Sequence, residues 1–321
     1  MKKTFWEKLK KPFFCLAPMS DVTDPPFRRM IAKYGKPDVM WTEFVSADGL
    51  ALGQKEEILK NLKFTKKEKP IVAQVFTSNP KNMRIAAKII QQAGFDGIDI
   101  NMGCPDRKIE KQGAGAALIK NPKFARKLIK AAKSGAPNIP VSVKTRIGYN
   151  KNEIEEWISE LLKETPVALT IHWRTRKEMS RAEARWKIAP IAVKLRDKIS
   201  PKTLIIGNGD IKSLDRAKKI SKQTGVDGVM IGRGVFGNPW FFSGKNPSKT
   251  EKLKALLEHS RLYEKLSGHK SFAIMKKHFK AYANGYTGAK KLRVKLMNAR
   301  NSKEAEKIIK KEITQNTKTI L

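Results

Sequence analysis

A closed (β/α)₈ barrel carrying a small all-helical C-terminal unit is the fold that this sequence predicts. Three observations lead there. Between residues 13 and 234, eight short apolar, β-branched runs alternate strictly with amphipathic helical stretches. No Gly-x-Gly-x-x-Gly fingerprint follows an early strand, which disfavours a doubly wound dinucleotide-binding sheet. After residue 242 the β-rich runs stop and only helical periodicity remains. A chain of 321 residues has room for one large α/β domain and an appendage, so the expected domains are 1–242 and 243–321.

The strands are expected at 13–19, 39–45, 71–76, 97–102, 141–146, 168–173, 204–207 and 228–232. Each is a short, nearly continuous apolar run, as befits parallel strands covered on both faces. Helices are expected between them at 81–93, 122–133, 153–164, 181–198 and 214–223. In the first of these, Met83, Ala86, Ala87 and Ile90 follow the i, i+3, i+4, i+7 spacing of a buried stripe. Gly35, Gly94 and Gly225 stand just before strands, where left-handed helix caps are expected. Cys15, inside the first strand, reads as core. Trp240, Phe241 and Phe242 read as packing at the domain junction.

Charge narrows the class of partner. The chain holds 67 basic and 30 acidic residues, a net charge of +37. Residues 243–321 hold 20 basic and 6 acidic side chains, against 47 and 24 in the rest, so the excess is densest on the helical appendage. That distribution points to a polyanion, most obviously nucleic acid. Lys outnumbers Arg 51 to 16, which biased base composition alone would also produce. Two cysteines, Cys15 and Cys104, fit a reducing cytoplasm and no disulfide framework. Four scattered histidines argue against a metal site. No apolar run approaches the roughly 20 residues that span a bilayer, and the charges at Glu7, Lys8, Lys10 and Lys11 interrupt any signal-peptide core. A cytoplasmic protein with no membrane contact is expected.

Barrel enzymes take their reactive groups from the C-terminal ends of the strands. In this chain those exits are Ala17-Pro18-Met19-Ser20, Gln74, Asn101 with Cys104, Lys144-Thr145-Arg146, His172-Trp173-Arg174, Gly207-Asn208-Gly209-Asp210 and Gly232-Arg233-Gly234. Polar residues crowd them. Cys104 lies between Gly103 and Pro105, poorly placed for packing. With an ordinary pKa of about 8.5 it stays mostly protonated at neutral pH and suits a proton donor. Glycine-rich turns after the last two strands let backbone N–H groups approach a phosphate, with Arg233 beside them. FMN fits such a site. Lys144 suits either a Schiff base or charge compensation on a reduced flavin. His172 reads as a donor to flavin or substrate, or as a strand cap. His259, His269 and His278 read as structural or RNA-facing, with both options open.

Taken together, these segments resemble the tRNA-dihydrouridine synthases. The likeness rests on Ala17-Pro18-Met19, Val22-Thr23-Asp24, Pro26-Phe27-Arg28, Asn101-Met102-Gly103-Cys104-Pro105 and Gly113-Ala114-Gly115-Ala116-Ala117-Leu118. It continues through Val143-Lys144-Thr145-Arg146, Ile171-His172-Trp173-Arg174-Thr175-Arg176, Ile206-Gly207-Asn208-Gly209-Asp210-Ile211 and Gly228-Val229-Met230-Ile231-Gly232-Arg233-Gly234. These motifs run in family order over about 220 residues, and the loop around Cys104 is most like the bacterial B-type branch.

The resemblance implies FMN-dependent reduction of uridine to 5,6-dihydrouridine in tRNA, with NADPH or NADH as reductant. It implies FMN contacts at Pro18, Met19, Ser20, Gln74, Lys144, His172, Asn208, Gly209, Asp210, Gly232 and Arg233. It makes Cys104 the catalytic acid and puts Asn101, Arg174 and Arg176 against the substrate. It also makes 1–242 the FMN-binding catalytic domain and 243–321 the tRNA-binding domain, with no protein partner implied. Two departures stand out: Asp21 where the family has Gly, and Trp173 where it has a small residue. The competing readings are a small-molecule FMN oxidoreductase acting on a free pyrimidine, a non-catalytic RNA-binding barrel, and a Schiff-base aldolase using Lys144.

Overall fold

Eight parallel strands curl around a common axis in the computed structural model, which describes residues 4–318. They are β1 Phe13–Leu16, β2 Met40–Ser46, β3 Ile71–Phe76, β4 Gly97–Met102, β5 Val141–Arg146, β6 Ala168–His172, β7 Leu204–Asn208 and β8 Gly228–Ile231. Each strand pairs with its sequence neighbours, and β1 pairs with β8. Between β1 and β2 the ring closes through a single bridge from Cys15 to Val39. There Leu16 N donates to Val39 O at 3.1 Å and Asp38 N to Phe14 O at 3.0 Å. This is the (β/α)₈ barrel that the alternation predicts, with all eight strands in place.

The helices are α1 Pro25–Tyr34, α2 Ala47–Ala51, α3 Lys55–Leu62, α4 Pro80–Gln92, α5 Arg107–Lys111, α6 Pro122–Gly135, α7 Ile154–Leu162, α8 Ala189–Ile199 and α9 Leu214–Thr224. After them come α10 Lys249–Ser267, α11 Met275–Tyr282, α12 Ala289–Met297 and α13 Ser302–Lys318, with no further strand among the described residues. Local chemistry starts several of them. Asp24 Oδ1 accepts Phe27 N at 3.0 Å ahead of two prolines that open α1, and Asn79 accepts Lys81 N at 2.9 Å ahead of Pro80 in α4. The predicted α4 stripe of Met83, Ala86, Ala87 and Ile90 is fully buried.

Two local expectations fail. The helix expected over 181–198 forms only from Ala189, after a 3₁₀ turn at Trp186–Ile188. Residues 182–185 instead serve the barrel rim: Arg174 Nε donates to Ala182 O, Ala184 N donates to Asp210 Oδ2, and Arg185 N donates to Trp173 O. Gly94 (φ 81°) and Gly225 (φ 74°) are left-handed caps, but Gly35 has φ −170°. Gly35 is there for space, since a Cβ would stand 2.9 Å from Pro239 O.

Three apolar clusters hold the molecule together. The barrel interior is packed by Phe13, Cys15, Trp41, Val72, Ala168, Ile206 and Met230, and Trp6 closes its N-terminal end against Phe13 and Trp41. A larger layer lies between sheet and helices. The third unites α10–α13 with Met30, Tyr34 and Trp240, so α1 belongs to both the barrel wall and the helical unit. Trp240 meets Tyr34 with ring centroids 4.7 Å apart, and Phe241 joins the barrel layer, which places this aromatic run at the junction. His259 and His278 are fully buried there, 4.6 Å apart and against Phe27. Neither faces RNA. No helix among the described residues is long and apolar enough to cross a membrane.

Candidate active site

Strand alternation and register decide what the barrel mouth presents. The pairs Asn101–Lys144, Lys144–Thr170, Arg146–His172 and His172–Asn208 bring the exits of β4 to β7 into one ring. Along β4, Asp99 shares the inner face with Asn101 because side chains repeat every second residue. A buried hydrogen-bond chain results. Ser142 Oγ donates to Asp99 Oδ1 at 2.5 Å, Gln74 Nε2 to Asp99 Oδ2 at 2.6 Å, and Asn101 Nδ2 to Gln74 Oε1 at 3.0 Å. Burial pushes the Asp99 carboxyl up to about 6, against the donors that would lower it.

Asn101 passes that order to the reactive loop. Its Oδ1 accepts both Gly103 N (3.1 Å) and Cys104 N (2.9 Å), while Ala116 N donates to Cys104 O at 2.9 Å. Arg146 Nε donates to Gly103 O at 2.8 Å, and its Nη1 reaches Thr175 O and Met179 O, so the loops after β4 and β6 are tied together. Gly103 must be small, because a Cβ would lie 3.1 Å from the Thr145 backbone. The Cys104 thiol is half-buried, forms no disulfide and takes a backbone hydrogen bond from Asp106. Burial pushes it up from its ordinary range, so at neutral pH it is a neutral S–H.

Lys144 makes no hydrogen bond and no ion pair among the described residues. Burial, reinforced by the Arg146 charge, lowers its ammonium from 10.5 to about 8. At pH 7 it remains mostly charged, offset in part by the Asp99 carboxylate. His172 is pushed well below 6.5 by burial and by the surrounding Arg and Lys charges, so its ring is neutral. Arg174 Nη1 lies 3.0 Å from His172 Nε2. A guanidinium only donates, so Nε2 accepts and the ring proton sits on Nδ1.

The turns after β7 and β8 form a second locus. Gly209 (φ 132°) and Asp210 (φ 54°) both take left-handed backbone, and a Cβ on Gly209 would strike Ala184 at 2.6 Å. Asp210 accepts from Arg174 Nη2 and Ala184 N through Oδ2, and from Arg233 Nη2 through Oδ1 at 3.0 Å. Burial opposes, but these donors hold its carboxyl below the ordinary range. The backbone N–H groups of Gly209, Asp210 and Gly232 find no protein acceptor among the described residues. Arg233 is 64 % exposed and keeps most of its donors free. A Cβ on Gly232 would stand 3.5 Å from Met19 Sδ, so this locus lies beside the exit of β1. Met19 and Pro18 are half-buried and Ser20 is exposed. Asn208 Nδ2 donates to Met230 O at 2.8 Å.

The structure therefore gathers Gln74, Asn101, Cys104, Lys144, His172, Asn208, Gly209, Asp210, Gly232 and Arg233 at one mouth. It treats two arginines differently. Arg174 is buried, with Nε, Nη1 and Nη2 all engaged by protein groups, so it orients His172 and Asp210 and does not face a substrate. Arg176 is bound bidentately to Glu110. Trp173 is buried against Trp186 in the layer between sheet and helices, with ring centroids 5.8 Å apart. Asp21 has φ 52°, which explains a glycine preference at that position. Its N–H donates to Glu43 Oε1 at 2.6 Å, an anchor that offsets the strain. The residues that motif reading passed over are Asp99, Ser142 and Glu110. Asp99 was accessible from alternation alone, two residues before Asn101.

Solved structures of similar fold include a variant of NCR from Zymomonas mobilis (TM-score 0.51, 15 % identity, covering 77 % of this chain and 94 % of that one). Another is morphinone reductase (TM-score 0.51, 13 % identity, 74 % and 86 %). Such low identity supports the barrel itself. The barrel, with a rim of polar residues at its strand exits, defines the chain as a (β/α)₈-barrel protein. The family is narrower still. The dihydrouridine synthase family model matches residues 15–318. The chain is 41 % identical to the probable tRNA-dihydrouridine synthase 2 of Bacillus subtilis strain 168 over 315 residues, covering 96 % of each. It is 38 % identical to the probable tRNA-dihydrouridine synthase of Staphylococcus aureus strain COL, covering 96 % and 95 %. This chain belongs to the dihydrouridine synthase family.

Proposed function

We propose that the chain reduces the C5=C6 bond of uridines in the D-loop of cytoplasmic tRNA, using FMN and NADPH or NADH. The observation that carries this reading is the Cys104 thiol, on a loop held by Asn101 and Arg146 at a mouth that also carries Lys144. The residues present fit FMN. The unbonded N–H groups of Gly209, Asp210 and Gly232 and the free donors of Arg233 suit its phosphate. Lys144 and the His172 Nδ1–H suit its ring. When bound, FMN supplies a hydride received from the nicotinamide and delivered to uracil C6.

The protein's own residues do the rest. As C6 gains hydride, negative charge develops over C5 and O4, and Cys104 Sγ–H gives its proton to C5. The thiolate is then reprotonated from solvent. Lys144 supplies fixed positive charge that needs no reorganisation during the step. The target uracil must leave its stack to enter the mouth, at a cost of a few kcal/mol, offset by binding of the remaining tRNA elsewhere. The helical unit over 243–321, with 20 basic against 6 acidic residues, is our candidate for that docking.

The test is dihydrouridine formation on unmodified tRNA with FMN and NADPH, beside tRNA affinity measured at several salt concentrations. The reading expects a yellow, tRNA-active protein whose affinity falls steeply with salt. Reduction of free pyrimidines with salt-indifferent tRNA binding would instead favour a small-molecule oxidoreductase.

A pH prediction follows from Lys144. Its charge disappears as pH rises through about 8, so the reductive rate on tRNA should fall above that value. Lys144→Met should be slower at pH 7 and should lack that alkaline limb. A wild-type rate that stays flat to pH 9.5 would remove the role.

A further inference from the structure

Residues 104–116 form a loop closed at its ends by Ala116 N donating to Cys104 O, and α5 stands in its middle. The loop is tight at its base: a Cβ on Gly115 would lie 2.7 Å from Cys104 O and 2.9 Å from Ile109 Cγ2. Its far side has two tethers. Ser78 Oγ donates to Gln112 O, a single neutral hydrogen bond. The other is the bidentate pair from Arg176 Nε and Nη2 to the Glu110 carboxylate, with the glutamate only 9 % exposed.

Arg176 is itself well anchored. Its N–H donates to Gly148 O at 2.9 Å, its guanidinium lies over the Tyr149 ring at 5.4 Å, and Arg146 holds the adjacent Thr175 carbonyl. The pair thus joins a firm platform on the loops after β5 and β6 to the segment carrying the thiol. The Arg176 side chain is 24 % exposed, and a bidentate Arg–carboxylate pair is among the stronger side-chain contacts.

We propose that Glu110 and Arg176 are positioning residues, whose ion pair latches the 104–116 loop and so fixes where the Cys104 thiol sits over the mouth. The proposal rests on Cys104 as the proton donor, and it gives Arg176 an intramolecular partner where the sequence motif suggested a substrate contact.

The experiment measures iodoacetamide alkylation of Cys104 and steady-state tRNA reduction in the full-length flavin-loaded protein. It compares wild type, Glu110→Ala, Arg176→Ala and the exchange Glu110→Arg with Arg176→Glu. Alkylation through local opening tracks the opening equilibrium, so losing about 1.4 kcal/mol of latch should raise its rate about tenfold. The value of kcat should fall severalfold in both single variants while KM for tRNA stays near wild type. The exchange should restore at least half of both effects. Unchanged alkylation in the single variants overturns the latch whatever reaction the protein performs. Faster alkylation with unchanged kcat also overturns the positioning role, and leaves the proton-donor reading to be decided by Cys104→Ala. A raised KM with unchanged alkylation would mean that Arg176 meets the RNA, which overturns the proposal too. Thermal unfolding of each variant separates these effects from general loss of fold.

Discussion

Cys104→Ala should lower dihydrouridine formation by about 100- to 10,000-fold, the range that a positioned general acid contributes. Flavin affinity, tRNA affinity and flavin reduction by the nicotinamide should stay close to wild type. The selectivity follows from how the loop is held. The main tethers on the reactive segment are made through its backbone: Asn101 to the amides of 103 and 104, Ala116 N to Cys104 O, and Arg146 to Gly103 O. Removing Sγ leaves all of them in place. The substitution deletes the thiol proton and the single backbone contact that the sulfur receives from Asp106. The half-reactions separate the possibilities, since a variant that accepts electrons but does not pass them to tRNA has lost the uracil step alone. Wild-type rates in this variant would end the proton-donor role and, with it, the main argument for uracil chemistry at this mouth.

How much of this could be read from the sequence depends on whether a signal is local. The strands were legible because parallel strands buried on both faces are continuous apolar runs, and seven of the eight observed spans lie within one residue of expectation at each end. The first is shorter because Ala17 to Ser20 leave the sheet to turn. Val22 N and Thr23 N both donate to Met19 O there. The helix expected from residue 181 was misread because its 3.6-residue pattern is real but residues 182–185 have rim partners that outweigh propensity. Gly35 shows the same limit: a glycine before a strand looks like a cap, and only the nearness of Pro239 O reveals a steric need.

The site divides along the same line. Which residues reach the mouth followed from strand ends and alternation. What those residues bind did not. Arg174 and Arg176 sit in one short motif and look alike in the sequence, yet one is buried beneath His172 and the other is clasped by Glu110 from 66 positions away. Opposite charges at that separation leave no periodic trace, so the partner was invisible until the barrel closed.

Arg28→Met should produce the largest loss of stability of any single substitution at the barrel rim. Arg28 and Glu68 are both fully buried, with Arg28 Nε donating to Glu68 Oε2 at 2.9 Å. The other arginine donors reach Thr23 O and Lys63 O, each at 2.6 Å, and Glu68 Oε1 accepts Thr65 N at 2.8 Å. Deleting the cation leaves a buried carboxylate and two carbonyls without their donor, which costs about 3–5 kcal/mol. Against a typical total of about 5–15 kcal/mol, the midpoint of thermal unfolding should drop by roughly 10 °C. The double variant Arg28→Met with Glu68→Leu removes the stranded charge as well, and should regain more than half of the loss in urea or thermal unfolding. The damage should also reach the proposed flavin site, because Thr23 Oγ1 accepts Met19 N at 2.9 Å and Arg28 holds Thr23 in turn. Weaker FMN retention in the single variant would therefore accompany the lower midpoint. A midpoint within a degree or two of wild type would show that the pair does not brace the rim. The double variant isolates the loop from the fold: if stability returns and FMN retention does not, the arginine's hold on Thr23 is what shapes the exit of β1.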